Sequence, residues 1–297
     1  MVDIINNISD RQNDIRLLRL QYCARHFYNS ATILNIITWS FCIIITVVLN
    51  LSVVKNALGN NKVIIAGVLN LLGIAVDLFL ICFVQLGAAY KMWFDYLLFG
   101  FPNKDNYQGI TTNQLNRIMV TITRRYKRRY AIEINHNGIS KPHGVRDWYY
   151  DISDNIDKNK AIVKCQEQNG FFDKSIMMVS WWAFVSFVVC AIVIVVVVKR
   201  DITLWQTIYL AYTCLALLVK IIKEIYLYVK AYATYYLGES LDIETHNESE
   251  DLIMVRQRNI DYRRRLILIT PNIIYKIKSL SLHSQVKAEN SISNSNN

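Results

Sequence analysis

Residues 176–198, IMMVSWWAFVSFVVCAIVIVVVV, run for 23 positions without a charged side chain, and Ser180 and Ser186 are their only polar members. As a helix rising about 1.5 Å per residue, such a segment reaches roughly 34 Å, enough to cross a hydrocarbon core about 30 Å thick. In lipid a helix satisfies its own backbone hydrogen bonds, which an isolated strand cannot do. Trp181 and Trp182 stand where interfacial anchors are expected. The competing reading is a core helix of a soluble domain, but those are shorter and carry a polar face. The chain reads as an integral membrane protein.

The rest of the composition agrees. A chain that is 53% hydrophobic yet carries a net charge of +10 is unusual for a soluble domain. Apolar spans flanked by basic cytoplasmic segments account for both values. Only 10 Gly and 3 Pro interrupt the chain, so long helices are expected. The six cysteines form no CxxC pair and no visible disulfide framework. Residues 1–30 carry acids, bases and amides throughout and do not read as a secretory signal peptide.

The fold class expected is all-α, with four transmembrane helices in two hairpins and a helical cytoplasmic body. Residues 1–30 form an amphipathic basic helix opened by the capping box Ser9–Gln12. The first hairpin occupies 31–86, with spans 31–54 and 63–86. Residues 87–175 form a cytoplasmic helical segment holding 14 Lys+Arg and 9 Asp+Glu, the candidate sensing part. The second hairpin occupies 176–219, with spans 176–198 and 202–219 joined by a tight turn at Lys199–Arg200–Asp201. A helical cytoplasmic tail follows over 220–288, with an acidic patch at 239–251, a basic helix that Pro271 closes and a second amphipathic piece at 273–287. Residues 289–297 read as disordered. The short links hold Lys55, Lys62, Lys199 and Arg200, and the other 29 of the 33 Lys+Arg lie in the N-terminus, central segment and tail. The positive-inside rule places these three segments, and both termini, in the cytoplasm.

Spans one and two are polar for lipid-facing helices. Asn35 and Asn50 lie in the first, Asn70 and Asp77 in the second. A carboxylate at mid-membrane costs several kcal/mol unless paired or solvated, and marks a functional position by default. No Lys, Arg or His falls within the four spans so drawn. Asp77 is therefore expected either to bond Asn35, Thr38 or Ser40 or to meet water at a shared axis. Asp77, Asn70, Asn35 and Asn50 are candidate pore or gating residues, with a helix-packing hydrogen bond as the alternative.

The second candidate is the run Arg124, Arg125, Tyr126, Lys127, Arg128 and Arg129, with Trp148 and Tyr149 beyond it. Guanidinium groups bind phosphates and aromatic faces stack bases. The same mixture suits anionic lipid headgroups or a solvated helix face, and all three readings stay open. No nucleotide-loop, zincin or nucleophile-elbow motif is present, and the five histidines are scattered. No catalytic residue, metal or cofactor is expected, and the chain does not read as an enzyme.

Several ordered elements resemble the bacterial SMODS-associated four-transmembrane (S-4TM) family. Arg11-Gln12-Asn13 opens the amphipathic helix and Leu20-Gln21-Tyr22 precedes the first span. Asp147-Trp148-Tyr149, Cys165-Gln166-Glu167-Gln168-Asn169 and Asp173 lie between the hairpins. Arg256-Gln257 and Tyr275 stand in the tail. The resemblance implies a pore-forming effector of anti-phage signalling of the CBASS type, in the inner membrane. Its partners would be the lipid bilayer and a cyclic nucleotide second messenger from an associated nucleotidyltransferase, with no DNA or RNA. Four spans leave little room for a pore within one protomer, so a homo-oligomer is expected. The alternative is a non-conducting accessory subunit that anchors a cytoplasmic partner.

Overall fold

A computed structural model describes residues 8–138, 140–150, 152, 156–198, 203–244 and 249–266. The expected turn at 199–201, the second amphipathic piece of the tail and the disordered end lie outside the described residues. The architecture is all-α, with a single two-stranded ribbon among the described residues.

A short α1 (Ile8–Arg11) and a turn precede α2 (Ile15–Asn50), whose Arg16 N–H is capped by the Asp14 side chain. The helix expected to start at Ser9 is thus interrupted at 12–14, because Gln12 and Asn13 are used elsewhere, as described below. A break at Leu51, a helix α3 (Ser52–Leu58) and a turn with Gly59 at φ 51° reverse the chain into α4 (Lys62–Phe99). Helices α2 and α4 pack antiparallel along most of their length. At about 1.5 Å per residue each exceeds 50 Å, more than a bilayer core requires.

Helix α4 changes character along its length. Ile64, Val68, Leu71, Leu78 and Phe79 are exposed, as lipid-facing side chains must be, whereas residues 87–96 are buried without a gap. That second half is the axis of an extramembrane body. Around it pack Tyr22 and Phe27 of α2, Leu115 of α5 (Thr112–Arg125), Tyr149, Cys165 of α7 (Lys158–Val198) and Ile253 of α10 (Glu250–Arg263). Strands β1 (Asn106–Tyr107) and β2 (Ile110–Thr111) pair through Gln108 and Gly109, both at positive φ, the geometry that a two-residue hairpin turn demands. Helix α5 opens on a Thr111/Gln114 capping box and stops at Tyr126. The basic run that follows forms α6 (Lys127–Glu133).

Three described helices are long and apolar enough to cross a membrane, namely α2, α4 and α7. The fourth apolar segment is made of two helices in series, α8 (Leu204–Thr213) and α9 (Leu215–Glu244), broken at Cys214. Helices α4, α7 and α9 each continue from the apolar layer into the body.

The body closes over one buried carboxylate. Asp95 accepts from the Tyr149 hydroxyl at 3.1 Å and from Gln257 Nε2 at 3.2 Å, and pairs with Arg264 at 2.7 Å. Gln166 bonds Gln257, and Asn169 donates to the Tyr149 hydroxyl. Gln12 meets the backbone N–H and carbonyl of Tyr149, while Asn13 accepts from the Asp147 N–H and donates to the Asp147 carboxylate. Four segments far apart in the chain are thereby joined on one acceptor, each satisfying polar groups that burial would otherwise leave open.

Beside this network Lys91 is 6% exposed, and its ammonium has no hydrogen-bond partner among the described residues; it lies over the rings of Trp148 at 4.2 Å and Phe94 at 4.5 Å. Burial pushes its pKa from 10.5 down to about 7, against the pull of Asp95 and with the push of Arg264. The unfolded chain therefore holds the extra proton between about pH 7 and 10.5. The contribution of Lys91 to stability is fully present above that window and is lost as the pH falls through it. Lys91→Met should stabilise the protein at pH 7 by the order of a few kcal/mol. It should also flatten the rise of thermal stability between pH 7 and 9.5, as read from unfolding in detergent micelles. A variant that melts below the wild type at pH 7 would contradict this.

Candidate functional site: a charged cluster among the apolar helices

Asp77 lies well inside the apolar half of α4. It is held by two cations: Lys220 Nζ stands 2.7 Å from Oδ1, and Lys223 Nζ reaches Oδ2. Lys220 also donates to Asn35 Oδ1 of α2 at 2.8 Å and lies 5.2 Å from the centre of the Trp39 ring, one turn along α2. The Lys220 side chain is 2% exposed. Glu224, equally buried, lies within electrostatic reach of both lysines. Positions 220, 223 and 224 share one face of α9 by their three- and four-residue spacing. The cluster carries two positive and two negative side chains and is formally neutral.

The approach of α9 is prepared by its break. At Cys214 the backbone leaves helical geometry and would leave polar groups unpaired among apolar helices, which is tolerated only when side chains replace the lost bonds. Asn70 does so on both sides: its Nδ2 donates to the Tyr212 carbonyl at 3.0 Å and its Oδ1 accepts from Ala216 N at 2.9 Å. Asn50 reaches the Thr213 hydroxyl at 2.8 Å. Gly73 gives the clearance, since a Cβ there would stand 3.3 Å from Ala216 Cβ and 3.5 Å from Cys42 Sγ.

One expectation is corrected here, and a second is given its geometry in this conformation. The fourth span was expected to leave the lipid at Val219 and to offer Asp77 no basic partner. Instead α9 runs parallel to α4 beyond Val219, and the long aliphatic stems of two lysines bring their ammonium groups to Asp77. The polar residues of the first two spans were also grouped as a pair facing a common lining. In this conformation Asn35, Asn50, Asn70 and Asp77 are all engaged by α8 and α9. Lys220 and Lys223 were expected outside the lipid, although their spacing with Glu224 inside an apolar run was a readable signal of a buried cluster.

The basic run is brought together only in part. Arg125, Tyr126, Lys127, Arg128 and Arg129 line an open groove of about 620 Å³ with Pro142 and His143. Arg124 is exposed on the last turn of α5. The groove also contains Glu133, buried and paired with Arg129 at 2.6 Å and Arg25 at 3.7 Å, so a carboxylate opposes any anion there. His26 packs on Tyr126 at 4.8 Å, and its pKa is lowered by burial and by Arg129. Trp148 and Tyr149 do not line this groove. Tyr149 is 3% exposed in the core of the body, which leaves its ring no open face for a base, and its hydroxyl pKa is raised by burial beside Asp95.

The family model described as "SMODS-associating 4TM effector domain" matches residues 6–234. The chain belongs to that family. No curated protein and no solved structure matches it. As a 4TM effector domain it is a helical membrane domain of SMODS-associated signalling. The match takes in all the apolar helices and the cluster at Asp77, and it ends within α9 at Thr234.

Asn70 generates the test of this arrangement. Asn70→Leu keeps the volume but leaves Tyr212 O and Ala216 N without their partner. It should destabilise this 4TM effector by about 1–3 kcal/mol, read as a lower unfolding temperature in micelles. Asn70→Gln should recover part of that loss. Equal stability of Asn70→Leu and the wild type would mean that the break is satisfied in another way.

Proposed function

We propose that this chain is a pore-forming effector of bacterial anti-phage defence, activated by a cyclic nucleotide from an associated nucleotidyltransferase and acting on the inner membrane. The neutral cluster of Asp77, Lys220, Lys223 and Glu224 is the observation that carries this reading. Charges in hydrocarbon are retained where they serve conduction or gating. Here they are closed on one another between α2, α4 and α9, which is how an inactive state would be held. Moving α9 away from α2 and α4 separates the charges, and only water can then stabilise them. Opening thus creates a wetted, polar-lined path where the closed state has packed helices. Asn35 and Asn70 would join that lining once released.

Several copies would share the path. Each protomer has exposed Ile33, Ile36, Ile37 and Ile44 on α2 and Ile64, Leu71, Leu72 and Phe79 on α4, faces that suit lipid at rest and neighbouring protomers on activation. The concentration of Lys and Arg in the body and tail supports a cytoplasmic placement of both. With the native cysteines replaced, Asn61→Cys should be labelled by an impermeant maleimide added to intact cells and Arg128→Cys should not. The reverse pattern would refute this orientation.

Asp77→Asn tests the gate. Removing one partner of a buried ion pair costs about 3–5 kcal/mol, because the other charges stay buried. That cost falls on the closed state and should raise signal-independent leakage about 100-fold or more, measured as dye efflux from liposomes and as toxicity without phage. Asp77→Glu, which keeps the charge, should leak far less than Asp77→Asn. If Asp77→Asn assembled normally and leaked no more than the wild type, the cluster would be a packing device and not a gate.

A further inference from the structure

A second cleft, of about 450 Å³, lies where α7, α9 and α10 meet and takes no part in the cluster at Asp77. Lys174, Arg256 and Arg263 line it, with Asn259 between the two arginines and Phe171 at its side. Arg256 is 6% exposed. Arg263 stacks on Tyr235, its Cζ 4.5 Å from the ring centre, and its buried Nε donates to no acceptor among the described residues. Asn259 donates to the Thr234 carbonyl at 3.2 Å, which fixes its amide. Against these cations stand Glu167, 56% exposed at the mouth, and Asp173, which interacts electrostatically with Arg263. The balance stays positive. Glycine at 170 keeps the floor open, since a Cβ there would be 4.0 Å from Arg263 Nη1.

We propose that this cleft is a phosphate site, in which Arg256, Arg263 and Lys174 hold a phosphodiester and Phe171 packs on the flat group attached to it. The half-buried Arg263 guanidinium, whose Nε is unused among the described residues, is the group that such an anion satisfies. Arginine prevails where planar phosphate recognition is needed, and the aromatic ring is tolerant of which base it meets. The position also has a mechanical consequence. Helix α7 runs unbroken from Lys174 into the apolar stretch, and α9 runs from Lys220 to Tyr235 without a break. An anion bridging α10 to both helices acts on the segment that carries the lysines of the gate. This role rests on the reading that a phosphorylated signal drives the effector. Met178 also lines the cleft, and it lies within the apolar stretch, so a phospholipid headgroup offers the same chemistry from the membrane side.

The test uses the full chain in phosphatidylcholine nanodiscs, titrated with a panel of cyclic di- and trinucleotides of A, G and U, and separately the chain in nanodiscs containing phosphatidylglycerol. Two variants accompany it: Arg263→Gln, which removes the charge, and Gly170→Leu, which fills the floor and leaves every cation. We expect the tightest nucleotide of the panel to lose at least tenfold in affinity in both. If no nucleotide binds but phosphatidylglycerol does, and both variants weaken that binding, the site stands with a lipid source and the cyclic nucleotide reading falls. If the wild type binds a nucleotide and both variants keep its affinity within twofold, the site is wrong and that reading stands; if it binds only phosphatidylglycerol and both variants keep that affinity, the site and that reading are both wrong. If neither probe binds the wild type, both are wrong.

Discussion

A buried carboxylate holds its charge at tolerable cost only if partners are brought to it, and α4 carries two of them. Asp77 and Asp95 are eighteen residues apart, about five helical turns and roughly 27 Å, so they project from the same face of one rod. Each collects its partners from distant parts of the chain. Asp77 gathers α2 and α9 inside the apolar layer, and Asp95 gathers α7, α10, the N-terminal turn and the 147–149 segment in the body. Neither set would hold its place without the acceptor on α4.

This arrangement makes the body and the apolar layer parts of one lever system. Besides α2, helices α4, α7 and α9 pass between them, while α10 is confined to the body, where it packs along α7 and α9 and bonds α4 through Gln257. The Asp95 network fixes α10 against α4. The basic cleft then lies between α10 and the two other passing helices. A change in the spacing of α10 from α7 and α9 can therefore be transmitted along intact helices, whose hydrogen bonds resist bending far more than loops do. The element that gives way is already present: the break at Cys214, where Asn70 has replaced backbone bonds by side-chain bonds that can be exchanged for water.

Much of this was legible in the sequence, and what was missed has physical reasons. Apolar runs longer than a bilayer is thick admit one structure, so three of the apolar helices could be read directly. The fourth segment was cut short because ending a span at its first lysine assumes that a lysine in lipid has no partner, and the partner of Lys220 lies 143 residues earlier in the chain. The break at Cys214 carries neither Pro nor Gly and has no local signature. Tyr149 was read as a stacking face because an aromatic pair beside charges looks alike exposed or buried, and only the tertiary pairing with Gln12 decides. The elements that carried the family resemblance, Arg11-Gln12-Asn13, Asp147-Trp148-Tyr149, the Cys165–Asn169 run and Arg256-Gln257, were read as separate marks. In the fold they are the shell of a single acceptor, Asp95.

The pairing of Asp77 with Lys220 and Lys223 also bears on how the chain enters a bilayer. A helix carrying two lysines and a glutamate pays roughly 2.5–3.5 kcal/mol for each charge placed centrally on its own, a total that its leucines and isoleucines offset poorly. The α9 segment is thus a weak substrate for insertion by itself and a good one once α4 already presents a carboxylate at the right depth. Biogenesis acquires an order from this: the first hairpin is threaded early with an uncompensated Asp77, and the last helix is retained by neutralising it. A chain interrupted before α9 is left with a bare acid among its apolar helices, at the cost that an uncompensated charge carries there.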